Sequence, residues 1–155
     1  MANQILSPVK LLNYQVLDVA FVTKPETVKK QGDIDLGITT ELKQREGGET
    51  NYLFILGLTV NESEARFEEL GFRASVRLAA YLELPAEWPP EKKSAHASLN
   101  GLSVLYATAR ALLADISSQT PLGRFVLPTI DLAAFVNQDA EQPRPKTGRR
   151  RAPTS

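Results

Sequence analysis

Residues 33–42, DIDLGITTEL, alternate cleanly between apolar and polar. Ile34, Leu36, Ile38 and Leu42 share one face; Asp33, Asp35, Thr39 and Glu41 share the other, the pattern of a half-buried antiparallel strand. Residues 51–60, NYLFILGLTV, are nearly all apolar, as in a central strand. Alternation returns over residues 67–84, with Leu70, Phe72, Ala74, Val76 and Leu78 inward and Glu69, Arg73, Ser75 and Arg77 outward. Residues 11–23, LLNYQVLDVAFVT, are rich in β-branched and aromatic side chains, which favour strands. Here Leu12, Tyr14 and Val16 have one parity and Leu17, Val19 and Phe21 the other, so the apolar face switches in mid-strand. A β-bulge, or a strand serving two packing environments, produces such a switch. REGGET (45–50) and NESE (61–64) are turn sequences, so the pattern predicts four antiparallel strands joined by short turns as a meander.

After the strands the period changes. LPAEWPPEKK (84–93) is a proline-broken connection, because proline restricts its predecessor and lacks an N–H. From Ser98 to Ser117, Leu102, Leu105, Tyr106, Ala109, Leu112, Leu113 and Ile116 recur at helical spacing, which predicts a long helix with Ser98 as its N-cap. Thr120-Pro121 ends it. RFVL is extended, and Pro128 leads into a short helix near 130–137 whose first turn Asp131 favours through the helix dipole. Residues 1–9 carry no clear pattern. The polar, basic tail 139–155 is expected to be disordered, leaving one domain over residues 1–138.

The chain has 155 residues, enough for one domain with a real core. It has no cysteine, which removes disulfides and thiolate metal sites. No apolar run is long enough for a membrane helix, and no signal peptide is recognisable, so a cytoplasmic protein without membrane insertion is expected. Lys plus Arg and Asp plus Glu both number 18, so the molecule as a whole has no pull toward nucleic acid. The end PRPKTGRRRAPTS carries five basic side chains and no acidic one, and is expected to be a solubilising tail rather than a specific nucleic-acid site.

Chemistry-bearing motifs are sparse. His96 is the single histidine and has no cysteine to join it in a zinc site; a plain surface histidine is expected. Glu62, Glu64, Glu68 and Glu69 cluster at a turn, as any acidic surface patch does. Gly47 and Gly48 sit in a hairpin turn and form no phosphate loop. Trp88, among prolines, is expected to cap the core edge; its alternative role is an exposed partner anchor. No cofactor and no enzymatic activity are expected.

The order of elements resembles SecB, the tetrameric export chaperone of bacteria. Asn13-Tyr14-Gln15-Val16-Leu17-Asp18-Val19-Ala20-Phe21 is similar to the family's opening strand. Leu105-Tyr106-Ala107-Thr108-Ala109-Arg110 is similar to its Leu-Phe-Pro-Tyr-Ala-Arg helix motif. Phe125-Val126-Leu127-Pro128-Thr129-Ile130-Asp131-Leu132 is similar to its extended, proline-bearing link and last helix. The likeness spans residues 10–137. Three features depart from it: Ala107 replaces the motif's proline, the Trp-Pro-Pro connection is longer, and the tail is basic where the family's is acidic.

The resemblance implies an α+β, SecB-like fold: a four-stranded antiparallel sheet, then a long helix and a short C-terminal helix. It also implies a holdase that binds unfolded or partly folded client polypeptides, for export or, as in some SecB-like relatives, for one dedicated partner such as an antitoxin. A non-enzymatic binding module for one folded partner is the remaining alternative. Candidate client-groove residues are Leu36, Ile38, Tyr52, Phe54, Phe125, Leu127, Leu132 and Phe135. The family docks the export motor SecA through acidic residues on the outer sheet face. Asp18 and Glu69 match such positions, whereas Val22 occupies another where the family is acidic. A homo-oligomer, a dimer of dimers built through the first strand and the alanine-rich helix, is also implied.

Overall fold

The structure is a computed structural model that describes residues 6–28, 32–46 and 48–141. Its elements in chain order are β1 (Lys10–Thr23), β2 (Leu36–Gln44), β3 (Asn51–Val60), α1 (Glu64–Leu70), β4 (Phe72–Glu83), α2 (Pro90–Ser118) and α3 (Leu132–Glu141). The strands form one antiparallel sheet with a long helix and a short C-terminal helix, the α+β architecture expected from the sequence. The basic tail from 142 onward lies outside the described residues; α3 itself runs through Glu141, past the expected start of the tail at 139.

Strand order departs from a simple meander. It is β1-β4-β3-β2, so β2, β3 and β4 are consecutive neighbours while β1 lies beyond β4. This is a Greek-key arrangement. Residues 24–35 therefore cross from one sheet edge to the other. A connection of that length does not force a hairpin, unlike the short turns that follow β2.

The mid-strand switch in β1 is resolved by two register shifts, between Leu11 and Asn13 and between Val16 and Asp18. Each shift leaves one residue unmatched, Leu12 and Leu17. As a result Leu11, Tyr14, Val16, Val19 and Phe21 all stand opposite core-facing residues of β4, namely Leu82, Ala80, Leu78, Val76 and Ala74. The bulges thus convert two parities into one apolar face.

Residues 64–70 are a short helix, not the start of the last strand. Ser63 accepts the N–H of Arg66 at 3.2 Å, and Gly71, at φ 75, closes the helix by donating to the Phe67 carbonyl at 2.8 Å. A Cβ at Gly71 would lie 2.6 Å from the backbone of Thr27 and Val28, so glycine is also required for close approach to the crossing segment. Phe67 and Leu70, three residues apart, are buried.

α2 also starts earlier than expected. Pro90 is its first residue, where the missing N–H costs nothing and the fixed φ is already helical. Ser98 lies about two turns inside the helix, not at its cap. The helix has 29 residues and is about 44 Å long. It packs on β3 and β4 through Ala97, Gly101, Leu102, Leu105, Ala109 and Leu113. At Gly101 a Cβ would stand 2.6 Å from the Phe54 ring, so the glycine lets the helix press onto the sheet. α2 leaves β1 largely uncovered. Leu11, Tyr14, Val16 and Val19, on the helix side of the sheet, keep between 38% and 49% exposure.

Asn61 ties the sheet to the crossing segment. It is wholly buried at φ 54. Its N–H donates to the Asp35 carbonyl at 2.9 Å, its Oδ1 accepts the Asp35 N–H at 3.0 Å, and its Nδ2 donates to the Phe72 carbonyl at 3.2 Å. Asparagine tolerates the left-handed region better than most residues, and here it satisfies backbone groups on two other segments.

Candidate functional site

The stretch after α2 has no strand partner, so its polar backbone groups are satisfied by α2 side chains. The Phe125 N–H donates to Ser117 Oγ at 2.7 Å, Arg110 Nε donates to the Leu127 carbonyl at 3.1 Å, and the Tyr106 hydroxyl donates to the Pro128 carbonyl. Burial raises the Tyr106 pKa above its usual value, and the nearby Arg110 guanidinium opposes this in part. The phenol therefore remains a donor at neutral pH. Leu127 points into the core and Phe125 is half-buried, while Arg124 and Val126 point outward. Asp131 Oδ1 accepts the Ala134 N–H at 3.0 Å and so starts α3 as its cap.

This link and the crossing segment meet over the start of β4. Between them lies a cleft of about 180 Å³ lined by Gly32, Ile34, Leu70, Phe72, Leu122, Arg124 and Phe125. Its aromatic side is continuous. Phe72 meets Phe125 at 5.4 Å between ring centroids and stacks on Phe21 at 6.0 Å. The residues converge from four parts of the chain: the crossing segment, α1, β4 and the link.

Of the client-groove candidates, Phe125 lines this cleft. Leu36 and Ile38 lie on the inner face of the edge strand β2, half-buried opposite Val60 and Leu58. Leu132 and Phe135 lie on α3, half-buried against the core. Tyr52, Phe54 and Leu127 are core residues of the single chain and offer almost no accessible area. The other cleft residues, Ile34, Leu70, Phe72, Leu122 and Arg124, were not among the candidates. The alternation over residues 67–84 marked Leu70 and Phe72 as inward; nothing in the local pattern pairs them with Phe125.

Asp18 and Glu69 do not form one patch. Asp18 is on the outer face of β1, 3.8 Å from Arg77, and Glu69 is on α1, 3.2 Å from Arg66. The β4 segment from Phe72 to Arg77 alone spans about 17 Å. That outer face also carries Arg73, which bridges to Glu64 at 3.4 Å and covers the Phe67 ring. Trp88 packs against the core with His96 at 4.7 Å and Lys92 over its ring at 4.2 Å, the arrangement of a cap on the core edge.

Among the described residues no group of three or more His, Cys, Asp or Glu side chains is placed to hold a metal ion. No helix among them is long and apolar enough to cross a membrane.

No protein-family model matches the chain, and no curated protein sequence matches it. Among solved structures it is similar to the Mycobacterium tuberculosis SecB-like chaperone Rv1957 in complex with a ChAD peptide from the HigA1 antitoxin. The TM-score is 0.60 at 16% identity, covering 79% of this chain and 91% of that one. A protein of unknown function from Streptococcus agalactiae also aligns, with a TM-score of 0.45 at 10% identity over 78% of this chain and 97% of that one. The chain thus has the α+β fold of a SecB-like chaperone.

Proposed function

We propose that the chain is a SecB-like chaperone, a non-enzymatic cytoplasmic holdase that binds extended segments of unfolded or partly folded proteins. The observation that carries the reading is the apolar cleft between the crossing segment and the link, built on a fold shared with a SecB-like chaperone. Together with the half-buried faces of Leu36, Ile38, Leu132 and Phe135, it offers apolar area without catalytic groups. At about 25 cal/mol per Å², a few hundred Å² per contact yields several kcal/mol before ordering costs. Several such contacts on one client add through multivalency.

The reading includes a homo-oligomer. β1 is an edge strand of 14 residues with Leu11, Leu12, Tyr14, Val16, Leu17 and Val19 exposed. A long, apolar, unpaired edge is an aggregation site unless another chain covers it. A second copy paired through β1 does so, and the exposed Ala107 and Ala111 of α2 then offer a flat surface for a dimer of dimers.

A dedicated chaperone of one partner is the second reading. The similar M. tuberculosis protein was solved with an antitoxin peptide. The outer face that would dock the SecA motor carries Arg73 and Arg77, with Val22 at one expected acidic position. These features favour a dedicated client over general export. The deciding experiment is suppression of aggregation with several unrelated unfolded proteins. Suppression of many supports a general holdase, suppression of one supports a dedicated chaperone, and suppression of none removes the holdase reading.

A further inference from the structure

We propose that residues 124–130 form a strap that α2 latches shut through Tyr106, Arg110 and Ser117, and that this strap opens as one unit while the sheet stays folded. The inference goes beyond the client-holding reading and stands whatever the open form admits.

The strap has no backbone partner. Among the described residues it joins no strand, and no backbone–backbone hydrogen bond holds 124–130. A segment without ladder bonds is the kind that opens locally. What holds it is one stripe of α2. The spacing of Tyr106, Arg110 and Ser117 keeps them on one side of the helix over about 16 Å. They meet the strap in reverse order, so it runs back along the helix. Ser117 Oγ accepts the Phe125 N–H at 2.7 Å, Arg110 Nε donates to the Leu127 carbonyl at 3.1 Å, and the Tyr106 hydroxyl donates to the Pro128 carbonyl. Ser117 is wholly buried. Arg110 makes no ion pair among the described residues, and its bond goes to the strap.

Both ends of the strap are anchored without it. Gly123 sits at φ 79, which glycine adopts freely, with its N–H on the Thr120 carbonyl at 3.1 Å. At the other end Asp131 caps α3 through the Ala134 N–H at 3.0 Å. A few such end residues can absorb the backbone change of a hinge. Closed, the strap holds Leu127 at 1% exposure and lays the Phe125 ring 5.4 Å from Phe72, itself 3% exposed. Opening withdraws Leu127 and Phe125 and uncovers Phe72 and Tyr106. Apolar burial therefore closes the strap, and the freedom regained by its residues opens it. Each latch bond shifts that balance by about two- to ten-fold.

The test is native-state hydrogen exchange on the full chain, resolved to single amides, over a urea series below the unfolding midpoint. The Phe125 amide reports the strap, and the Leu78 amide, in the central strand β4, reports the sheet. Relative to its intrinsic rate, Phe125 should be protected yet exchange about ten-fold or more faster than Leu78, with little urea dependence, as a small opening requires. Tyr106→Phe and Arg110→Met should each speed Phe125 exchange by about two- to ten-fold, although neither side chain bonds that amide. If Phe125 and Leu78 exchange with one rate and one urea slope, the strap opens only on global unfolding and the proposal is overturned. An unprotected Phe125 amide overturns it too, because the strap is then never latched. So does Phe125 exchange unchanged in both variants, because the three bonds then do not act together. Each of these results leaves the holdase reading to be decided by aggregation suppression.

Discussion

Asn61 is the best place to test how the walls of the cleft are held, because its replacement by Gly and by Ala separates two costs. Either change removes the bonds from Oδ1 to the Asp35 N–H and from Nδ2 to the Phe72 carbonyl. A buried polar group left unpaired costs about 1–3 kcal/mol, and the Asp35 N–H, only partly buried, belongs at the low end. Asn61→Gly should therefore destabilise by about 2–4 kcal/mol, since glycine adopts φ 54 without strain. Asn61→Ala loses the same bonds and adds a left-handed penalty of about 1 kcal/mol, for a total of about 3–5 kcal/mol. The assay is urea unfolding followed by the fluorescence of Trp88, the single tryptophan, at fixed protomer concentration because the proposed association would also contribute. Losses below about 0.5 kcal/mol in both variants would refute the bracketing role. Equal losses in both would refute the backbone-strain part alone. Ile34, beside Asp35 in the chain, lines the cleft, so the Gly variant should also loosen the cleft before the sheet unfolds.

Three further predictions follow from the same geometry. Tyr106→Phe deletes the bond to the Pro128 carbonyl and should cost about 0.5–1.5 kcal/mol at neutral pH. Since the folded-state pKa of Tyr106 is raised above the ordinary tyrosine value of 10.0, its stabilisation is complete below that pH and is lost as pH rises through the folded value. Alkaline titration of stability should therefore fall less steeply above that point in the Phe variant, and identical slopes would contradict the linkage. Val16→Lys with Val19→Lys puts two charges on the exposed apolar face of β1; light scattering should shift from oligomer to smaller species with little change in secondary structure, and an unchanged mass would exclude β1 as the interface. Asp18→Lys with Glu69→Lys removes two exposed pairs, each worth about 0–1 kcal/mol, so melting should barely move. If the outer face docks an export motor, that double reversal should weaken binding and flatten its salt dependence while client holding is kept; unchanged motor binding would remove the docking role from these two residues.

The α+β class was legible because the apolar period changes once along the chain, from two over the strands to three and four over α2. The bulge in β1 was legible for the same reason: a parity change between Val16 and Leu17 has few other solutions on a strand with one apolar face. Short signals were harder to separate. Ser63 and Gly71 mark the ends of α1, but Phe67 to Leu70 is one turn, too brief for a helical period to stand out from the alternating strand that follows. Pro90 starts α2 because a proline is harmless at a helix's first position, although the same residue inside one would break it.

Strand order and the cleft belong to another level. The alternation in β1 names the face that turns inward and says nothing about whether β2 or β4 will lie beside it; that depends on how Thr27 and Val28 pack over Gly71 and how Asp35 bonds to Asn61. Apolar pattern likewise does not separate a core residue from a binding residue, since both reward burial in the same way. Tyr52 and Phe54 are closed off because Gly101 brings α2 down onto β3, whereas Val16 and Val19 on the same face of the sheet stay open because α2 covers little of β1. Phe72, Phe125, Ile34 and Leu70 meet only in three dimensions. The sequence by itself determined which side chains seek burial and on which face of each element they stand; the tertiary structure decided which of them are buried within the chain and which stay exposed, because access depends on how far each covering element reaches, and that is a property of packing between distant segments.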